Sequence, residues 1–145
     1  MLEQGVEYFE RHLSRNDLRR DGKPAPYHGQ LSKLLHECWP GASLEETLRK
    51  TFLTNSVLCS AVKSGGYHCR EVERACCATY LKPTLDALPR AFVLALGKKA
   101  ARRLRQTGVS PDYCAIHPSS RYSTKQKEKD WERAGSCFRG WLDRL

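Results

Sequence analysis

Between Phe52 and Ile116 the chain alternates strand-like and helix-like segments, and this alternation restricts its fold more than any other feature. In residues 52–58 the side chains of Leu53, Asn55 and Val57 share one face, the period-two signature of a strand. Ala91-Phe92-Val93-Leu94-Ala95-Leu96 is continuous and apolar, as a parallel strand covered on both faces would be, and Gly97 ends it. Residues 113–116 make a third short strand. Between the first two, residues 70–88 favour a helix with Val72, Ala75, Cys76, Thr79 and Leu85 inward and with Pro83 as a kink or restart. A basic helix over residues 98–105 joins the second strand to the third. Strand, helix, strand, helix, strand implies right-handed crossovers and a parallel sheet. Such sheets place ligands at the carboxyl ends of their strands, where Asn55 and His117 stand.

The flanks read as helices. Leu2, Val6, Phe9 and Leu13 recur at helical spacing, ahead of the charged residues 15–23 and a loop over residues 22–26 that holds Gly22, Pro24 and Pro26. Leu31, Leu34, Leu35 and Cys38 mark one face of a helix that Trp39-Pro40-Gly41 stops. Ser43 with Glu46 is a capping-box pattern for a brief helix to about residue 50, and Ser64-Gly65-Gly66-Tyr67 is a turn. Trp131, Ala134, Phe138, Trp141 and Leu145 trace a stripe along a C-terminal helix, with Ser123 and Gln126 as its capping pair.

A chain of 145 residues fits one domain and buries roughly two-thirds of its unfolded surface, enough to dispense with a disulfide or metal staple. Its 25 Lys and Arg against 16 Asp and Glu give a formal charge of +9, which favours polyanionic partners; a generally basic protein is the plain alternative. Seven cysteines without framework spacing suit free thiols in a reducing compartment. No apolar run approaches the roughly twenty residues that span a bilayer, and Met1-Leu2-Glu3-Gln4 does not open a signal peptide. A cytoplasmic monomer with no membrane partner is expected.

Taken singly, an Asn at a strand end is a backbone cap, and His-Pro-Ser is a turn. Taken in order, Leu53-Thr54-Asn55-Ser56-Val57, then Glu73-Arg74-Ala75-Cys76-Cys77-Ala78-Thr79-Tyr80-Leu81, Leu88-Pro89-Arg90 and Val93-Leu94-Ala95-Leu96-Gly97-Lys98-Lys99-Ala100, then Ile116-His117-Pro118-Ser119, form a pattern. It resembles the uracil-DNA glycosylase superfamily from about residue 24 to residue 123. The resemblance implies a single three-layer α/β/α domain over residues 1–145 with a short central parallel sheet. It also implies DNA as partner and hydrolysis of the N-glycosidic bond of a flipped uracil, the first step of base-excision repair. Asn55 would read the uracil edge, since a carboxamide donates and accepts at once. His117 would be the catalytic residue, donating to the carbonyl where negative charge develops. Tyr27 would stack on the base, and Ser119 would contact phosphate. The family's next proline and wedging leucine appear here as Ser120 and Arg121, and Arg121 either fills the gap more weakly or pairs with phosphate. Lys125, with Lys127 and Lys129, is placed for phosphates, whereas Lys98, Lys99, Arg102, Arg103 and Arg105 read as DNA contacts or as the outer face of a helix.

The resemblance thins out at the start of the chain. Pro26-Tyr27-His28 is similar to the family's Asp-Pro-Tyr-His element, and a literal match would put Ala25 in the place of the water-activating aspartate. The residues before it, Asn16-Asp17-Leu18-Arg19-Arg20-Asp21, are no strand, so the expectation is instead that the family's first strand and catalytic loop would lie before Met1 and that the domain is N-terminally incomplete. No general base is assigned; Asp17 and Asp21 read as solvated charge among arginines. His68 lies where one branch of the family traps the sugar, but its loop is short, and it reads as an exposed histidine. Some branches hold an iron-sulfur cluster on four thiolates. Cys59 and Cys77 resemble the later pair and the earlier Cys-x-x-Cys is not seen, so no cluster, other metal or cofactor is expected. The alternatives are an inactive nucleic-acid or nucleotide-binding module on the same fold and, from a different class, an unrelated basic α/β interaction protein.

Overall fold

The computed structural model describes residues 26–57 and 69–145. The expected helix over residues 2–13, the loop up to Ala25, Asp17, Asp21, Cys59, the turn at residues 64–67 and His68 lie outside the described residues. The described residues divide into two compact units, one of those up to Leu53 together with Ile116–Leu145, the other of those within Thr54–Ala115.

The first unit is built on two helices, α1 (Pro26–Cys38) and a later long one, with the short α2 (Leu44–Arg49) between them in sequence. Proline suits the first position of α1, where its missing N–H has no helical partner anyway. Leu31, Leu34, Leu35 and Cys38 are buried, as their spacing predicts. At the end of α1 the backbone turns through Gly41, whose φ of 80° is open to glycine at little cost. The capping box before α2 forms as read: Ser43 N–H donates to Glu46 Oε2 at 2.8 Å, and Glu46 N–H to Ser43 Oγ at 3.2 Å. The long helix runs over Thr124–Leu142 and is capped in the same way by Ser123 and Gln126; it is numbered α6 below. Trp131, Ala134 and Phe138 are buried against α1, and Phe138 meets Trp39 edge to face with centroids 4.6 Å apart. Trp141 is only half-buried, and Leu145, which the periodicity places on the stripe, lies past the helix end and is exposed. The two helices approach closely at Gly135, where a Cβ would collide with the carbonyl of Glu37. The Arg139 guanidinium donates to that same carbonyl.

The second unit contains α3 (Arg70–Cys76), a π-helical turn (Cys77–Leu81), α4 (Lys82–Asp86), β1 (Leu94–Leu96), α5 (Lys98–Gln106) and β2 (Tyr113–Ala115). Strands β1 and β2 pair in parallel, Leu94 with Tyr113, Ala95 with Cys114 and Leu96 with Ala115, and α5 makes the crossover. The result is a small α/β fold. Its core gathers Cys77, Leu81, Ala95, Ala101 and Leu104. Gly97, at φ 86°, turns the chain sharply from β1 into α5 while its N–H donates to Ala115 O at 2.8 Å.

Pro83 falls at the restart predicted for it: α4 begins at Lys82 with Pro83 in its first turn, after a π turn in which the Lys82 N–H reaches back to Cys77 O. Two expectations change here. The inward face differs: Glu73, with Arg102 and Arg103 on its carboxylate, Cys76, Cys77 and Leu81 are buried while Val72, Ala75 and Thr79 are exposed. Residues 52–57, read as a strand, have no ladder partner among the described residues and are irregular, with Phe52 exposed. Side chains satisfy Ser56 instead: its carbonyl accepts from the Cys77 thiol at 3.5 Å, and its hydroxyl from Arg103 Nη1 at 3.0 Å.

Candidate functional site

Within the first unit, the loop leaving β2 carries His117 into a tight turn. Proline at the second position presets this turn, and Ser120 N–H closes it by donating to His117 O at 2.9 Å. The Ser119 N–H then points back at the imidazole and donates to Nδ1 at 3.1 Å. In a neutral imidazole only one nitrogen carries the proton, so this bond leaves Nε2–H as the donor. Burial, and secondarily the Lys127 charge, hold the His117 pKa below the ordinary imidazole value, which favours the neutral ring.

Helix α6 holds this loop in place. Its residues 127, 130 and 131 lie on one face. Ile116 N–H donates to Asp130 Oδ2 at 2.6 Å, Trp131 Nε1–H donates to Ile116 O at 2.9 Å, and Lys127 Nζ donates to Pro118 O at 2.7 Å. Every polar backbone group of Ile116 and the carbonyl of Pro118 thereby find charged or strongly dipolar partners, and Pro118 itself is fully buried. Lys127, read from sequence as a phosphate contact, is therefore a buried structural donor, only 8 % exposed.

Tyr27, in the first turn of α1, brings its ring to 5.8 Å from the His117 ring at 31°, and burial raises its pKa, keeping the phenol neutral. The structure thus brings Tyr27 and His117 together. Ser119 is exposed at the turn, and Ser120 is half-buried, with its Oγ enclosed and unpartnered. Arg121 and Lys125 are exposed. Along α6, Lys125, Lys129 and Arg133 are exposed at four-residue intervals, so they form a cationic stripe beginning beside the turn. An open groove of about 420 Å³ between α1 and α6, lined by residues including Lys33, His36, Glu128 and Trp131, contains neither Tyr27 nor His117.

In the second unit Asn55 is exposed, on the irregular segment whose next residue, Ser56, is tied down twice. The tie is backed by a buried carboxylate. Glu73, 3 % exposed, accepts from Arg103 Nη2 at 2.6 Å and from Arg102 Nη2 at 2.7 Å. The Arg103 bond, with both guanidinium charges, holds the Glu73 pKa below the usual carboxylate range despite burial. Arg102 and Arg103 are thus ion-pair partners, while Lys98, Lys99 and Arg105 are exposed on α5.

Cys77, which resembles a cluster ligand, is a buried thiol that donates to Ser56 O, and desolvation raises its pKa. Among the described residues no three His, Cys, Asp or Glu side chains gather as metal ligands would, and no helix is long and apolar enough to cross a membrane. The Lys127, Asp130 and Trp131 clamp and the Glu73 network were not read from sequence. One signal existed: Lys127 is in phase with Trp131, Ala134 and Phe138, so a lysine occupies a place on the apolar stripe.

No curated protein and no solved structure matches the chain significantly. A family model does: the Uracil DNA glycosylase superfamily matches residues 14–136 and so spans the turn at His117, the Asn55 segment and Tyr27. With most of its length inside that match, the chain belongs to the uracil DNA glycosylase superfamily.

Proposed function

We propose that this uracil-DNA glycosylase-like chain binds DNA, accepts an extruded uracil nucleotide and hydrolyses its N-glycosidic bond, as in base-excision repair. The observation that carries the reading is the Ser119 N–H on His117 Nδ1, which leaves Nε2–H free to donate to a uracil carbonyl as negative charge develops there. A donor fixed in advance costs no reorganisation during bond cleavage. Tyr27, against the same imidazole, supplies a π face for the base. Asn55 is assigned by resemblance to the uracil edge. Exposed Ser119, Arg121 and Lys125 are the phosphate contacts of this reading; Ser120, whose Oγ is enclosed, is assigned to the DNA-facing turn by resemblance alone.

The test is uracil release from a single-stranded, uracil-containing oligonucleotide by the purified chain, beside Asn55→Ala and His117→Ala. Release by the wild-type chain, lost in both variants, is the expected result. A well-folded chain that binds the oligonucleotide and releases nothing would sink the enzymatic half of the proposal.

One observation favours a second reading, a binding module that keeps the pocket without the chemistry. Contact between Tyr27 and His117 supports a literal match of Pro26-Tyr27-His28 to the family element, which puts Ala25, with no titratable group, where the water-activating aspartate would stand. Uracil-dependent binding without cleavage is the outcome that selects this reading.

A further inference from the structure

Lys127 is a buried charged group in the first unit that the proposed reaction does not use directly. A lysine at 8 % exposure loses hydration that a single neutral carbonyl restores only in part, so its presence on an apolar stripe calls for a reason. Its neighbours on the stripe are Trp131, Ala134 and Phe138, among which a methionine would pack without that cost. Its bond goes to Pro118 O, the one carbonyl between the imidazole-bearing residue and the N–H that caps Nδ1.

We propose that Lys127 is a positioning residue for His117: its buried ammonium holds the 117–120 turn through Pro118 O and keeps the imidazole presenting Nε2–H outward. Two effects act together. The bond to Pro118 O fixes the peptide unit that aims the Ser119 N–H at Nδ1. The positive charge beside the ring opposes a second proton there, which would turn Nδ1 from acceptor to donor and set it against the Ser119 N–H. The other groups facing the turn are Asp130 on α6, whose carboxylate is engaged by Ile116 N–H, and Tyr27 on α1, with His28 edge-on to Tyr27.

This inference rests on the reading of His117 as the donor to uracil, but its test needs no turnover. Nitrogen-15 NMR of the full chain reads the tautomer and titration midpoint of His117 in wild type, Lys127→Met and Lys127→Arg. Wild type is expected to show the Nε2–H tautomer and a midpoint below the ordinary 6.5. The midpoint should rise in Lys127→Met and stay near wild type in Lys127→Arg, which keeps charge and donor. An unchanged midpoint and tautomer in folded Lys127→Met would overturn the proposal. If Lys127→Met does not fold, wild type and Lys127→Arg decide: an Nδ1–H tautomer or a midpoint at or above 6.5 overturns it, and the Nε2–H tautomer with a low midpoint in both supports it. Absence of uracil release in wild type bears on the glycosylase reading alone.

Discussion

The ring of Tyr27 lies 5.8 Å from that of His117, inclined by 31°, so the first turn of α1 and the loop after β2 share one aromatic wall. If that wall receives a base, Tyr27→Ala removes a stacking surface worth about 1–3 kcal/mol. The expected outcome is a rise in KM for a uracil oligonucleotide that exceeds any fall in kcat, with Tyr27→Phe close to wild type. Equal loss in both variants would mean that the phenol oxygen matters, not the ring.

His117→Ala deletes the donor proposed to meet the developing charge. Loss of one such donor costs roughly 100- to 1,000-fold in kcat, while oligonucleotide affinity should hold. Stability also reports on this residue. Because the folded pKa is depressed, the unfolded chain takes up a proton that the folded chain refuses as pH falls below 6.5. Stability contributed by neutral His117 is therefore full above 6.5 and is lost as pH falls through the folded midpoint. Urea titrations of wild type and His117→Gln across that window should show the slope only in wild type.

Ala25→Asp tests the literal match of the Pro26-Tyr27-His28 element. A positioned general base contributes on the order of 100- to 10,000-fold. A gain in uracil release, from whatever level the wild-type chain shows, is expected; no gain would detach this element from the family's catalytic loop.

Glu73→Gln should destabilise the second unit by about 1.5–3 kcal/mol, because it weakens charge-assisted bonds to Arg102 and Arg103 in a buried setting. The wild-type carboxylate has a depressed pKa, so its contribution is present above the ordinary value of 4.5 and disappears as pH falls through the folded value. Denaturant midpoints of the two chains should therefore converge in acid. In the first unit, Gly135→Ala forces α6 away from the Glu37 carbonyl and should cost about 1–3 kcal/mol, read by the same titration.

Local patterns carried much of the reading. Ser43 with Glu46 and Ser123 with Gln126 cap helices as their spacing says, because a capping box needs only four consecutive residues. The apolar periodicities of α1 and α6, the run that becomes β1, and Gly97 at its end are likewise short-range. Asn55 is legible only as part of a motif, and the strand expected for it has no ladder partner among the described residues, since strand geometry depends on a neighbour to pair with. The inward face of α3 is not legible in the apolar spacing because a charged residue, Glu73, turns inward to meet Arg102 and Arg103 from a distant helix.

By itself, then, the sequence determined the helices with their caps, the parallel β1–α5–β2 unit and the family, since each depends on the order and spacing of neighbouring residues. Only the tertiary structure decided that Lys127 is buried beneath the His117 turn instead of facing phosphate, that Glu73 anchors Arg103 and through it Ser56, and that Tyr27 meets His117. The physical reason is desolvation: a charged side chain on an amphipathic helix reads as solvated until a distant segment folds over it, and only then does its hydrogen-bond partner become necessary.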